Sequence, residues 1–312
     1  MKNVIFRLFV ILSFIVFFNS QTSFALPIAT QKANNTPSKI SASEISESEA
    51  EVIKRFSIKN KFHRTPETQI KKFYSDFNKY SEKNDIEKLK EMYSDSFVNN
   101  DGYDKNVLFE VFSKAVDVYK DIEYTTEILS VAVENNYATV KIHEFAIGNT
   151  AEKHRDINDY GLISSDMYHT DYLKKEGNKW KITSSVIESE EIALKYGETK
   201  LISIELSAPK TVPAGSDYDV SVHLKSPDGV MVIGSIVNEP IIHPQIQKQD
   251  VFKSVKSDIL ERVLKANKDN YNEYATVTIG ITRASVDPPQ LVFSMTGMAV
   301  VMTRVNVLNK LN

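Results

Sequence analysis

The chain has 312 residues, 42% hydrophobic and 25% charged, with a formal net charge of −3, a composition that supports globular cores. No long basic run is present and residues 201–312 balance Lys and Arg against Asp and Glu, so no phosphate-backbone footprint argues for a nucleic-acid partner. Cysteine is absent, which removes disulfides, thiolate metal sites, a cysteine nucleophile and a lipid-modified N-terminal cysteine.

The N-terminus carries an address. Lys2 and Arg7 give a positive start, "LFVILSFIVFF" (8–18) is an apolar run broken only by Ser13, and "SFA" (23–25) places small residues at the −3 and −1 positions of a cleavage site. This pattern predicts a signal peptide over 1–25 and export, to the periplasm or the medium. The run is shorter than the ~20 residues that span a bilayer, so no membrane span is expected after cleavage; an uncleaved anchor is the alternative. Residues 26–61 are rich in Ser, Glu, Lys, Asn and Thr and read as a solvated linker with a frayed helix near 47–58.

Ordered structure is expected from residue 62. Thr65 suits an N-cap and Pro66 the first helical position, and Ile70, Phe73, Tyr74, Phe77 and Tyr80 recur at three and four residues, so a helix opens here. A shorter helix is expected at 85–93 and a third from about 104, with Val107, Leu108, Val111, Phe112, Ala115 and Val118 on its buried face. Strands follow at 122–134, 137–148, 161–175 and 179–189, the last two joined as a hairpin around Glu176-Gly177. Leu173 and Trp180 are expected opposite each other in the core. Period-two alternation then turns Met167, His169 and Asp171 inward, with Ile182 and Ser184 on the same face. On the strand before, Ala138, Val140 and Ile142 are apolar and Glu144 continues their face.

From residue 198 the pattern is β-rich runs separated by Pro, Gly and Asp. This suggests a second domain, 198–312, built as an Ig-like β-sandwich. "FKSVKSDILERVLKAN" (252–267) has helical spacing at Phe252, Val255, Ile259, Val263 and Leu264 and is expected as a helical insertion. Arg283 and Arg304, amid strands, are expected to pair with Glu205, Asp217 or Glu239, or to bind an acidic group.

Helix, helix, loop, helix and then antiparallel strands, with "NDIEKLKEMYSDSF", "YATVKI" and "YLKKEGNKWKI", resembles the NTF2-like superfamily, including its SnoaL-like and ketosteroid-isomerase-like members, over about residues 64–195. The resemblance implies an α+β fold in which three helices close a cone made by a curved antiparallel sheet, with ligands entering the cone. It places the isomerase's catalytic base at Asp101 and its acidic oxyanion-hole residue at His169. The isomerase's catalytic tyrosine falls at Phe77, which has no hydroxyl, so isomerase chemistry does not carry over.

Asp101 and His169 are therefore the candidate catalytic pair. Glu144, Asp171, Tyr93, Ser184 and Trp180 are the candidate ligand-binding residues. Carboxylates beside an imidazole suit acid–base work on a small molecule. The same groups have structural readings: Asp101 as the cap of the third helix, Glu144 and Asp171 as salt-bridge partners of Arg155 or a lysine, His169 as a satisfied core histidine. No spacing argues for a metal, and no cofactor motif is present. The favoured reading is an exported two-domain binding protein that holds a small ligand or forms a homodimer, with its second domain against an envelope partner; an acid–base enzyme and an assembly module are the alternatives. N-terminal sequencing of exported protein is expected to begin at Leu26, and material retaining Met1 would contradict the cleaved signal.

Overall fold

The computed structural model describes residues 65–226, 228–245, 252–255, 258–287 and 290–309; the expected signal peptide and linker lie outside them. Helix α1 (Pro66–Glu82) starts where the cap chemistry places it. The Thr65 hydroxyl accepts from the Thr68 amide at 3.3 Å, Pro66 fills the first turn, and Ile70, Phe73, Tyr74 and Phe77 are buried. Helix α2 (Ile86–Glu91) is capped by Asp85, and α3 (Lys105–Val118) by Asp104, whose carboxylate accepts from the amides of Asn106 and Val107. Asp101 is thus not the cap of the third helix. Between α2 and α3 runs an unexpected strand, β1 (Tyr93–Asn99), parallel to β5.

Four long strands follow as an antiparallel meander: β2 (Tyr119–Glu134), β3 (Tyr137–His154), β4 (Asp159–Glu176) and β5 (Lys179–Gly197). Glu176 pairs with Lys179, so the β4–β5 turn is Gly177-Asn178, with Gly177 at φ 60°. Leu173 accordingly faces Ile182 rather than Trp180. The pairing is displaced by two residues, which leaves the faces unchanged, and Met167, His169, Asp171 and Leu173 are all buried.

A 3-10 turn (Glu198–Leu201) leads to β6 (Ile204–Ser207), β7 (Thr211–Pro213), β8 (Asp217–Leu224), β9 (Met231–Pro240), β10 (Lys253–Val255), β11 (Ile259–Lys265), β12 (Glu273–Asp287) and β13 (Gln290–Leu308). The expected layout, a helix-covered cone followed by a separate sandwich, does not hold. Strands contain 63% of the described residues and helical segments 18%. One ten-stranded sheet runs β10-β9-β12-β13-β5-β4-β3-β2, with β1 beside β5 and β7 beside β13; a second sheet is β11-β8-β6. The long β12–β13 hairpin carries the large sheet from one half into the other because β13 pairs with β5 from Gly297↔Gly197 to Thr303↔Glu191. Two glycines meet at this seam for a steric reason. Gly197 has φ 57° and a Cβ there would strike the Thr296 carbonyl, while a Cβ on Gly297 would lie 2.8 Å from the Thr199 amide nitrogen.

Where the helical insertion expected at 252–267 is described it contains no helix, and 253–255 and 259–265 are strand. β11 pairs with β8 over seven residues, from Ile259↔His223 to Lys265↔Asp217. Ile259 and Val263, two of the residues that gave the helical spacing, are exposed, whereas Leu264 is buried. Pairing with β8 and the β-branched content outweigh the local spacing.

Two cores share the β12–β13 hairpin. On one face Tyr274, Met298, Val300 and Met302 join the helices and β2–β5. On the other, Ala275, Val277, Ile279, Ile281, Ala299 and Val305 pack against β8 and its neighbours. Alternation along the two strands supplies both cores.

Candidate functional site

The antiparallel register lines up ionisable residues across the sheet on the face that packs against the helices. Thr126 on β2 pairs with Glu144 on β3, Glu144 with Met167 on β4, and Met167 with Glu190 on β5. One residue past the Thr303↔Glu191 pair of β13 and β5 stands Arg304, which pairs with Tyr274, and Tyr274 pairs with Glu239. Glu144, Glu190, Arg304, Tyr274 and Glu239 are all buried. The next row along β4 holds His169, opposite Ile142 and Ile187, and the row after that holds Asp171, opposite Val140 and Ser185.

His169 and Asp171 come together, whereas Asp101 is not beside His169. Nε2 of His169 lies 3.7 Å from Oδ1 of Asp171, with both side chains almost fully enclosed. Asp171 is fixed by two hydroxyls: Tyr74 donates to Oδ2 at 2.8 Å and Ser185 to Oδ1 at 2.6 Å. Nδ1 of His169 has no hydrogen-bond partner among the described residues. A buried nitrogen in that state is costly unless something arrives to satisfy it.

Glu190 sits diagonally across from His169. Its Oε2 accepts from the Tyr274 hydroxyl at 2.6 Å, and its Oε1 has no hydrogen-bond partner among the described residues. Burial pushes the Glu190 carboxyl up to about 7, against the pull of the Tyr274 bond, Arg304 and His169. Burial likewise drives the Tyr274 phenol well above its ordinary range.

Asp101 is elsewhere in this network. Its carboxylate faces Arg304 in a two-pronged ion pair, Nη1 to Oδ2 at 3.0 Å and Nη2 to Oδ1, and Asn272 donates to Oδ1 at 2.8 Å. The side chains of Asp101 and Arg304 are 2% and 0% exposed. Burial opposes the guanidinium's charge, but Asp101 and the acidic groups around it outweigh burial and hold Arg304 above its ordinary range. A carboxylate with both oxygens committed to a guanidinium is a poor proton acceptor. Arg304 therefore does not pair with Glu205, Asp217 or Glu239, and Arg283 instead meets Glu198 at 2.7 Å.

The remaining expected residues disperse. Tyr93 is a core ring, 4.9 Å from Phe97 and 5.3 Å from Phe109 between centroids. Trp180 donates to Gln69 at 3.3 Å and lines an open cleft of about 600 Å³ between α1, α2 and the β4–β5 turn, away from His169. Ser184 donates to the Val98 carbonyl on β1. The reason is a bulge: Tyr172 pairs with Ser184 but Leu173 with Ile182, so the inward position passes to Ser185. Phe77 is buried among aromatic rings, and Tyr74, three residues earlier on α1, donates to Asp171. Tyr74, Ser185 and Glu190 are the site residues sequence reasoning missed, and Arg304 was singled out but assigned other partners. For Glu190 a signal existed: Glu190, Ile192, Leu194 and Tyr196 alternate in "ESEEIALKY", and strand β5 continues through them. Among the described residues no cluster of three or more His, Asp or Glu is placed to hold a metal ion, and no helix is long and apolar enough to cross a membrane.

No family model and no curated protein matches the chain. Solved structures match part of it. One is a candidate scytalone dehydratase from Novosphingobium aromaticivorans, 11% identical, covering 45% of this chain and 87% of that one at a TM-score of 0.33. Another is the hexachlorocyclohexane dehydrochlorinase LinA-type3 from Novosphingobium barchaimii, 15% identical, with 44% and 88% covered and a TM-score of 0.31. A third is a candidate calcium/calmodulin-dependent kinase II association domain from Exiguobacterium sibiricum, 12% identical, with 39% and 92% covered and a TM-score of 0.29. These likenesses cover between 39% and 45% of the chain. The Ig-like reading of residues 198–312 gains no support from these matches, and at such TM-scores no residue role transfers.

The raised Glu190 carboxyl has a thermodynamic consequence. Its folded value lies above the ordinary 4.5, so it favours folding most below pH 4.5, and that contribution is lost as pH rises through about 7. Glu190→Gln removes the titration. Relative to the native chain, the variant is expected to gain about 3 kcal/mol of stability between pH 4.5 and pH 8 in urea unfolding. A difference that stays flat across that range would contradict the raised carboxyl.

Proposed function

We propose that the protein is an exported small-molecule-binding protein. Residues 62–197 hold a compact ligand in the interior beneath α1, and residues 198–312 face a partner or the cell envelope. The observation that carries this reading is the pair of enclosed polar atoms without hydrogen-bond partners among the described residues, Nδ1 of His169 and Oε1 of Glu190. In the tautomer that carries its proton on Nε2, which faces Asp171 at 3.7 Å, His169 presents Nδ1 as an acceptor, and Oε1 of an ionised Glu190 is a second acceptor. The ligand that fits is a small alcohol, phenol or amine whose donor group satisfies one or both. Its apolar body would contact the walls around them, where Ile142, Met167 and Ile187 are buried. Export rests on the apolar run at 8–18 and the small residues at 23–25.

A second reading, an acid–base enzyme, is favoured by one arrangement. Asp171, held by Tyr74 and Ser185, orients His169, and a carboxyl titrating near neutrality stands diagonally opposite. In this reading His169 and Glu190 exchange protons with the substrate. Asp101, expected as the base, keeps a structural role beside Arg304.

A thermal-shift screen of small alcohols, phenols and amines is expected to yield compounds that raise the melting temperature. Their affinity is expected to fall about tenfold in His169→Leu, the worth of one hydrogen bond. No stabilising compound, or compounds whose affinity is equal in the native chain, His169→Leu and Glu190→Gln, would overturn the reading. Conversion of a bound compound, lost in His169→Leu, would establish the enzyme instead.

A further inference from the structure

Fully enclosed groups need a route by which a ligand reaches them. An open cleft of about 460 Å³ lies between α1 and β2 and is lined by Lys71, Tyr74, Ser75, Asn78, Thr126 and Ile128 among others. Two observations connect it to the interior. First, β2 ends the path of the large sheet, and Thr126 in the cleft begins the row that continues through Glu144 and Met167 to Glu190. At roughly 5 Å per strand, Glu144 is one strand inward from Thr126 and Glu190 about 15 Å away along the same face. Second, Tyr74 lines the cleft while its hydroxyl donates inward to Asp171, the partner of His169. Tyr74, 1% exposed, therefore reaches from the cleft wall to the His169–Asp171 pair.

We propose that the cleft between α1 and β2 is the portal to the interior site, and that Tyr74 is its gate, latched by the hydrogen bond to Asp171. The proposal rests on the ligand-binding reading for its purpose, but its geometry stands apart from any ligand. Swinging the Tyr74 ring outward breaks its hydrogen bond to Asp171 and opens a path beside Thr126 and Glu144. The same movement removes one of the hydroxyls that hold Asp171, so entry of a ligand and reorientation of His169 are coupled through one carboxylate. Tyr74 is a positioning residue in this scheme, because it acts through Asp171.

The chain has no cysteine, so a single introduced thiol reports access cleanly. In the full chain carrying His169→Cys, methyl methanethiosulfonate is expected to modify the thiol faster than the protein unfolds. Adding Ser75→Trp, at an exposed helical position over the cleft, is expected to slow modification about tenfold or more by closing the route. Adding Tyr74→Phe, which removes the latch, is expected to speed it several-fold. Adding Lys88→Trp, in the separate cleft near Trp180, is expected to leave it unchanged. A thiol modified only at the rate of global unfolding, or at the same rate with and without Ser75→Trp, overturns the portal. Where His169→Cys does not fold, Met167→Cys gives the same readout from the neighbouring row. Because this measurement uses no natural ligand, its failure and the failure of the thermal-shift screen are distinguishable.

Discussion

The ion pair between Asp101 and Arg304 is the constraint on which the rest of the structure depends. Removing two charges from water costs several kcal/mol for each ion, and Coulomb attraction repays that only with close geometry and satisfied remaining groups. Both conditions are met. The guanidinium grips both carboxylate oxygens, Nε of Arg304 donates to Asn306, and Asn272 donates to Asp101. Asp101 belongs to the turn before α3, and Arg304 to the last strand of the chain. Their pairing therefore fixes β13 in register against the first half at the seam where Gly197 and Gly297 meet. A chain without disulfides uses a buried charge pair and a continuous sheet to join its two halves.

The chemistry of the interior follows from that placement. Arg304 stands next to Glu190 in the same row, and its charge is directed chiefly to Asp101. What reaches Glu190 is too weak to overcome burial, so the carboxyl is left titrating near neutrality. Asp171, by contrast, is satisfied by hydroxyls and stands beside His169. The two carboxylates share one interior and receive different environments, which is how acid and base roles are separated in a single site. Tyr274 ties Glu190 to β12, so the site of the first half is built partly by the second.

Much of the local structure was legible in the sequence. Caps and periodicity located α1 and α3, and alternation turned His169, Asp171 and Glu144 inward, where the structure has them. The architecture was not legible, because it depends on pairings between distant residues. Nothing in "GMAVVMTRVNV" announces that its strand joins β5, and nothing in "FKSVKSDILERVLKAN" reveals that β8 will pair with it. The two bulges in β5 had the same origin. They moved the inward position from Ser184 to Ser185 and brought Glu190 into the site, and a period-two reading has no means of placing an extra residue. Arg304 was seen as a charge among strands, but its partner lay 203 residues away.

A double-mutant cycle on Asp101→Asn and Arg304→Met, read by urea unfolding of the full chain, tests the central claim most directly. If the pair holds the halves in register, each single change costs about 3–5 kcal/mol, and the double variant recovers about 3 kcal/mol of their sum, because neither charge is then stranded. Additive losses, with coupling below about 0.5 kcal/mol, would mean that the two residues act independently and that the seam is held by the sheet alone.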